Sequence, residues 1–340
     1  MIRSVVLAVL LVGLTTWAYR SVWTAEWVYE DRATVAAAQT AGPWSARALS
    51  SWSWRQTPDP RSAHLVSLCL HLLIGLGVGV FAWKVGLTPF GAWVTAMLWL
   101  LAPITVESAA YAKARADQLV ILGTLIACLS ALGPWWTVPR LAGILGGLVI
   151  ACGAKQAGVV SLALVPLMAW QARAQTAPRW APWWLPAGLA SLALAGGVWW
   201  YGGLRAVVNA DSELGISMAT DVTAYQWLSA QCGAVWYWLV ASVWPELLTP
   251  DVDVDRLPGL TRAMGAYALL VAAGAWWRTR LRWPVLSLAC GWVVISLLPR
   301  LFIQTPRSYL TAAQMAGAVI GIMLMAGLAA DQAKTNWRTT

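Results

Sequence analysis

The sequence predicts an all-α polytopic membrane protein with about ten transmembrane helices and one further re-entrant or interfacial helix. Of its 340 residues, 59% are hydrophobic and 11% are charged, whereas soluble domains average roughly 45–50% apolar and about 25% charged residues. The apolar residues form eleven runs, and a membrane span needs ~20 such residues. The composition excludes a soluble enzyme, so we expect residues 1–340 to form one transmembrane domain. The runs cover residues 4–20, 64–83, 90–106, 117–133, 141–154, 157–171, 183–203, 226–245, 259–277, 284–299 and 309–330.

The connections between the runs predict an orientation. The net charge is +9, and Lys and Arg are dense in short connections, which the positive-inside rule assigns to the cytoplasm. The longer connections then face outward and hold every acidic residue except Asp331. We interpret the basic charge as a sign of this orientation and expect no nucleic-acid partner. The expected outer loops are 21–63, with an acidic motif, and 204–258, and the expected cytoplasmic tail is 331–340.

The run 226–245 is the one that we expect not to cross the membrane. If all eleven runs crossed the membrane, the basic loop with Arg278, Arg280 and Arg282 would lie on the outer side. That placement would contradict the positive-inside rule, which assigns the other basic loops to the cytoplasm. The run is also rich in Trp, which favours the membrane interface. We therefore expect an interfacial or re-entrant helix within the outer loop 204–258.

Two adjacent carboxylates, Glu30 and Asp31, follow the first apolar run. Carboxylates at a membrane boundary are costly unless they are solvated or used. Either side chain can serve as a general base if a hydroxyl lies within hydrogen-bond reach. The alternative is that the pair marks the solvated start of a loop.

A second group of chemically active side chains follows Pro103, which is expected to end or kink the run 90–106. Glu107, Tyr111 and Arg115 are spaced at i, i+4 and i+8, so one helix face would carry an acid, a phenol and a cation. Asp117 would cap the next helix by accepting its free N–H groups. The alternative is a capped interfacial helix with a local ion pair.

Two cations on the outer side are candidates for binding a phosphate. Lys155 lies in a tight connection between two apolar runs. Arg307 lies just before the last run, two residues before Tyr309. Lysine binds phosphate as a point charge, and arginine binds it through a planar fork of donors. The alternatives are a lysine that snorkels to the interface and an arginine that anchors a helix there.

The sequence assigns no residue as a metal ligand. His64 and His71 share a helix face, but no third ligand has suitable spacing, so we expect polar contacts between helices. The acidic stretch 251–255 resembles the start of a calcium loop, yet Arg256 and Arg262 replace the glycine and glutamate that an EF-hand needs. A simple divalent-cation site remains open, and no cofactor is identified.

Taken in order, these motifs resemble the C-type (GT-C) multi-span glycosyltransferases. The nearest resemblance is to the membrane region of the transmembrane and tetratricopeptide-repeat O-mannosyltransferases and their bacterial relatives, from about Trp27 to Gln314. Three positions depart from the family pattern, with Ala102 in place of His, and Gln156 and Pro306 each in place of Glu. The matching residues are Glu30-Asp31, Leu70-His71, Pro103 with Glu107, Arg115 and Asp117, Lys155, Pro245 with Leu248, the stretch 251–253, Leu298-Pro299, Arg307, and Tyr309 or Leu310.

The resemblance implies a GT-C-like fold and a membrane glycosyltransferase. Such an enzyme moves a sugar, with mannose as one candidate, from a polyprenyl-phosphate donor to a hydroxyl of a protein or glycan acceptor, with inversion. The reaction would take place on the outer face of a bacterial inner membrane. The implied roles are Asp31 or Glu30 as base, Arg307 and Lys155 as phosphate ligands, and Glu107, Tyr111, Arg115, Asp117 and Tyr309 in the sugar or acceptor pocket.

Two other function classes remain open. One is a non-catalytic integral-membrane scaffold subunit, which the three departures from the family pattern leave possible. The other is a lipid or sugar transporter, which would need ionisable residues inside its spans.

Overall fold

A computed structural model of the protein describes residues 2–27, 31–40, 48–132, 137–176, 223–242, 244, 257–280, 282–302 and 312–337. Within these ranges all regular secondary structure is helical, which confirms the all-α prediction for this part of the chain. Short 3-10 helices cover Arg20–Thr24, Pro103–Thr105 and Gln156–Val159. The α-helices are α1 (Ile2–Ala18), α2 (Asp31–Thr40), α3 (Ala48–Arg55), α4 (Pro60–Lys84), α5 (Pro89–Leu101), α6 (Val106–Ala110), α7 (Arg115–Ala131), α8 (Val138–Ala154), α9 (Val160–Thr176), α10 (Ala224–Ala241), α11 (Gly259–Thr279), α12 (Pro284–Phe302) and α13 (Ala312–Trp337).

Several helices are apolar enough to meet a membrane. By length and hydropathy, α4 and the Met315–Thr335 part of α13 could each cross one, and α5 with Pro103–Ala110 would be a third if the bent pair is one span. Shorter apolar helices include Val138–Ala154 and Pro284–Leu297. These helices agree with a membrane protein. The count of about ten spans stays a prediction.

The predicted non-crossing run 226–245 corresponds largely to α10. This helix begins with a capping box in which the Thr223 side chain binds the Gln226 N–H and the Gln226 side chain binds the Thr223 N–H. Its length and hydropathy do not make it a candidate membrane span. Its placement at the interface stays a prediction.

The chain bends at Pro103, as the sequence predicts. Helix α5 ends at Leu101, and the segment Pro103–Ala110 leaves its axis by 56°. Proline lacks an N–H group and clashes with the preceding helical turn, so the helix cannot continue through it. The Thr105 hydroxyl contacts the carbonyl oxygens of Trp99 and Ala102 at 2.9 and 2.7 Å. These contacts compensate for helical hydrogen bonds lost at the break.

A second break corrects two predictions. The backbone is extended at Tyr111, and α7 begins at Arg115 with Ala114 as its N-cap residue. A continuous helix face of Glu107, Tyr111 and Arg115 is therefore wrong, because a turn separates α6 from α7. Asp117 is the third residue of α7 rather than its cap, since the helix starts two residues earlier than the apolar run.

Small residues bring the helices close together. At the crossing of α7 and α8, a Cβ atom added to Gly123 would lie 2.5 Å from the Gly147 carbonyl oxygen, and the reverse holds as well. Such close backbone approach is typical of helices packed in membranes. The indole N–H groups of Trp99 and Trp292 donate to the carbonyl oxygens of Ala316 and Gly317 at 3.0 and 2.9 Å. These bonds connect α5 and α12 to α13.

The two histidines make the polar contacts that the sequence predicts. Both are fully buried on α4. Nε2 of His64 lies 3.1 Å from the Glu26 carbonyl oxygen, and Nε2 of His71 lies 3.0 Å from that of Leu100. His71 also stacks on Trp99 with ring centroids 4.8 Å apart. The histidines thus join α4 to the segment after α1 and to α5.

The bundle has two ends, which we name by residues. The Asp31 end is where α4 begins and α8 ends, and the Lys84 end is where α4 ends and α5 begins. At the Lys84 end, helix α13 continues to Trp337, so the expected tail 331–340 begins inside a helix. Among the described residues, Asp31, Arg115, Asp117 and Lys155 belong to the Asp31 end.

Candidate functional site

Asp31 begins α2, and its carboxylate binds the turn between α6 and α7. Its oxygens accept the backbone N–H groups of Ala112 at 3.2 Å and Lys113 at 2.8 Å. The residue is 1% exposed. In this conformation two backbone donors bind the carboxylate, which is shielded from solvent. A catalytic role for Asp31 stays a prediction.

Arg115 is the first residue of α7, directly after this turn, and it is fully buried. Nη1 donates to the Thr57 hydroxyl at 2.8 Å and to the Ser53 carbonyl oxygen at 3.1 Å. Nη2 donates to the Ala63 carbonyl oxygen at 2.8 Å, and the guanidinium interacts electrostatically with Asp31. Arg115 therefore connects α3 and the start of α4 to α7. Its predicted place in a sugar or acceptor pocket stays untested.

Helix α3 adds contacts that the sequence did not reveal. The Ser50 hydroxyl donates to the Ala154 carbonyl oxygen at 2.6 Å, and the Trp54 indole N–H donates to that of Ala112 at 2.9 Å. Both donors are buried. No local spacing indicates these partners, because they lie 104 and 58 residues away along the chain.

Asp117 and Lys155, which the sequence assigned to separate roles, form an ion pair. Lys155 Nζ lies 2.8 and 2.7 Å from the two Asp117 carboxylate oxygens. The Lys155 and Asp117 side chains are 13% and 11% exposed, so the pair is largely removed from solvent. Lys155 directly follows α8, and Asp117 lies in the first turn of α7.

Asp117 also lines a mainly apolar cleft. The cleft lies between α7, α9, α12 and α13, is partly open to its surroundings, and has an internal volume of about 60 Å³. Val120, Leu164, Trp292 and Ile320 are among its apolar lining residues. The ion pair therefore sets a charged group beside an apolar space, which is the arrangement that an amphipathic ligand requires.

Two further site residues that the structure describes lie outside the lining of this cleft. Glu107 and Tyr111 are partly buried near the break between α5 and α7, and neither belongs to the cleft lining. Glu30, Arg307, Tyr309 and the acidic stretch 251–255 lie outside the described residues. Among the residues that are described, no group of three His, Cys, Asp or Glu side chains could hold a metal ion.

Comparisons with protein-family models, with curated proteins and with solved structures find no match to this chain. The basis for a function is therefore the set of sequence motifs together with the geometry of the Asp31 end.

Proposed function

We propose that the protein is an integral-membrane glycosyltransferase that uses a polyprenyl-phosphate sugar as donor and a hydroxyl of a protein or glycan as acceptor. The chain crosses a bacterial inner membrane about ten times with a GT-C-like fold, and the Asp31 end faces the outer compartment. The observation that carries this proposal is the apolar cleft beside the Asp117–Lys155 pair.

The cleft suits both parts of such a donor. Its apolar walls match a short part of an isoprenoid chain, whose burial contributes roughly 25 cal/mol for each Å² removed from water. The Lys155 ammonium is a compact charge of the kind that binds phosphate. Arg307 is the second cation that we assign to the phosphate, and Glu30 and Asp31 are the acids that the family resemblance assigns to the acceptor side.

Lipid that copurifies with the protein tests this proposal. We expect mass spectrometry to find polyprenyl phosphate, with or without sugar, in extracts of the wild type. Lys155→Gln should lower its amount at least tenfold, because the variant loses the phosphate's cation. Lys84→Gln is the matched control, since Lys84 is exposed and lies at the opposite end. Bulk phospholipid alone in all three preparations would contradict the proposal.

One observation favours a second candidate, a non-catalytic scaffold subunit. Asp31 and Arg115 are buried and engaged in contacts that hold α2, α3 and α4 to the start of α7. A scaffold would copurify with a stoichiometric protein partner and without polyprenyl phosphate. The same purification therefore separates the two candidates.

A further inference from the structure

The two buried aspartates at the Asp31 end differ in what binds their carboxylates. Asp31 is held by two backbone N–H groups, which are fixed by the turn that carries them. Asp117 is held by Lys155, whose ammonium lies at the end of a flexible side chain. Asp117 also belongs to the lining of the cleft, and Asp31 does not. A ligand in the cleft can therefore replace the partner of Asp117 more easily than the partners of Asp31.

We infer that Asp117 receives the proton of the acceptor hydroxyl, and that Lys155 releases Asp117 by moving to the donor phosphate. This inference rests on the proposed function and assigns the roles within its site. In place of the acid role that the family resemblance implies for it, Asp31 is then a positioning residue that holds the turn between α6 and α7. Asp117 is the catalytic base, and Lys155 is the cation that stabilises the leaving phosphate.

The charges balance through this exchange. Before transfer the three groups are the Asp117 carboxylate, the Lys155 ammonium paired with it at the edge of the cleft, and a donor phosphodiester of charge −1. The acceptor O–H proton passes to Asp117, the oxygen forms a bond to the sugar C1, and the bond from C1 to the phosphate oxygen breaks. The electron pair stays on the lipid phosphate, which becomes a monoester of charge −2. The total charge of the three groups is −1 before and after the step.

Constant charge matters because the pair is shielded from water. In a low-dielectric site, an uncompensated charge is far more costly than in solution. As Asp117 becomes neutral, the phosphate gains the charge that Asp117 loses. The Lys155 ammonium can therefore move from the Asp117 carboxylate to the phosphate and remain paired with a negative charge throughout.

Binding of decaprenyl phosphate to the purified full chain tests the exchange without knowledge of the acceptor. Asp117→Asn should bind this lipid at least fivefold more tightly than the wild type, because the carboxylate that competes for Lys155 is gone. Lys155→Gln should bind it at least tenfold more weakly. Asp331→Asn makes the same chemical change at the Lys84 end and should stay within twofold of the wild type. Native mass spectrometry over a lipid titration gives these ratios.

A second readout addresses the proton transfer. Turnover of decaprenyl-phosphate mannose in membranes that contain the protein should fall by about 10²–10⁴-fold in Asp117→Asn, the range for loss of a general base. The double variant Asp117→Asn with Lys155→Gln replaces the ion pair by two neutral amides and serves as the control for folding. It should stay folded and should bind the lipid as weakly as Lys155→Gln.

The outcomes are distinguishable. If the wild type binds decaprenyl phosphate but Asp117→Asn binds it as weakly as Lys155→Gln does, the inference is overturned while the proposed function stands. The same holds if Asp117→Asn keeps the turnover of the wild type. If the wild type and every variant fail to bind the lipid, the proposed function fails and the inference fails with it.

Discussion

Both ends of the helix bundle are closed by a buried aspartate that binds backbone amides from a distant part of the chain. At the Lys84 end, Asp331 accepts the N–H groups of Thr88 at 2.8 Å and Gly91 at 2.9 Å. At the Asp31 end, Asp31 accepts two N–H groups from the turn before α7. The Asp31 end also carries a shielded ion pair and a cleft.

The comparison shows that burial of a carboxylate does not by itself mark a functional site. Asp331 acts as a clamp between α13 and α5, and a Cβ atom on Gly91 would lie within 2.4–2.7 Å of its carboxylate atoms. Glycine at position 91 therefore makes room for the clamp. Asp31 resembles it, whereas Asp117 differs because its partner is a flexible cation beside an apolar space.

The strongest test of this difference is Lys155→Met, which leaves the Asp117 carboxylate without its cation. Breaking a buried pair from one side costs about 3–5 kcal/mol in the free energy of unfolding. Unfolding in mixed detergent micelles with increasing SDS measures this loss. The double variant Asp117→Asn with Lys155→Met should recover most of the lost stability, because its buried amide carries no charge. If the single and double variants are equally stable, Lys155→Met leaves no uncompensated charge and the prediction is wrong.

Asp31→Ala should have the next largest effect, a loss of roughly 3 kcal/mol. The N–H groups of Ala112 and Lys113 lose their acceptor, at a cost of about 1–3 kcal/mol each, and Arg115 loses a nearby opposite charge. The same SDS titration measures the change. If Asp31→Ala lowers the free energy of unfolding by less than an alanine substitution at an exposed position does, solvent replaces the carboxylate and Asp31 does not hold the turn in place.

Asp331→Ala should destabilise the protein by about 2 kcal/mol, because the buried N–H of Gly91 and the N–H of Thr88 at the start of α5 lose their acceptor. The distinguishing measurement is the binding of decaprenyl phosphate, which we expect to be unchanged. Weaker lipid binding in this variant would contradict the separation of the two ends into a clamp and a site.

Asp59→Ala should have the smallest effect, and that effect should depend on pH. Hydrogen bonds from the Ser62 hydroxyl and backbone N–H lower the pKa of Asp59 below its usual value of 3.8. Since the pKa is lower in the folded state, the stabilisation is present above the usual value and is lost as the pH falls through the folded value. The difference in thermal midpoint between wild type and variant should shrink from pH 7 to pH 3, and a constant difference would contradict this role.

The sequence predicted those features that depend on local chemistry. The apolar run 64–83 corresponds to α4, and the break at Pro103 follows from the missing N–H group of proline. The predicted contacts of His64 and His71 are present because a buried imidazole needs a polar partner. The expected face of Glu107, Tyr111 and Arg115 failed, since the spacing assumes a continuous helix and the backbone turns at Tyr111.

By itself, the sequence determined the helical class, the apolar runs, the break at Pro103 and the concentration of acids and candidate cations in a few connections. These features depend on each residue's own backbone chemistry and hydrophobicity. Only the tertiary structure decided that Asp117 pairs with Lys155, 38 residues away, and that Asp331 clamps Thr88, 243 residues away. These partners depend on how the helices pack. Close crossings such as that of α7 and α8 at Gly123 and Gly147 determine which helix ends lie next to each other.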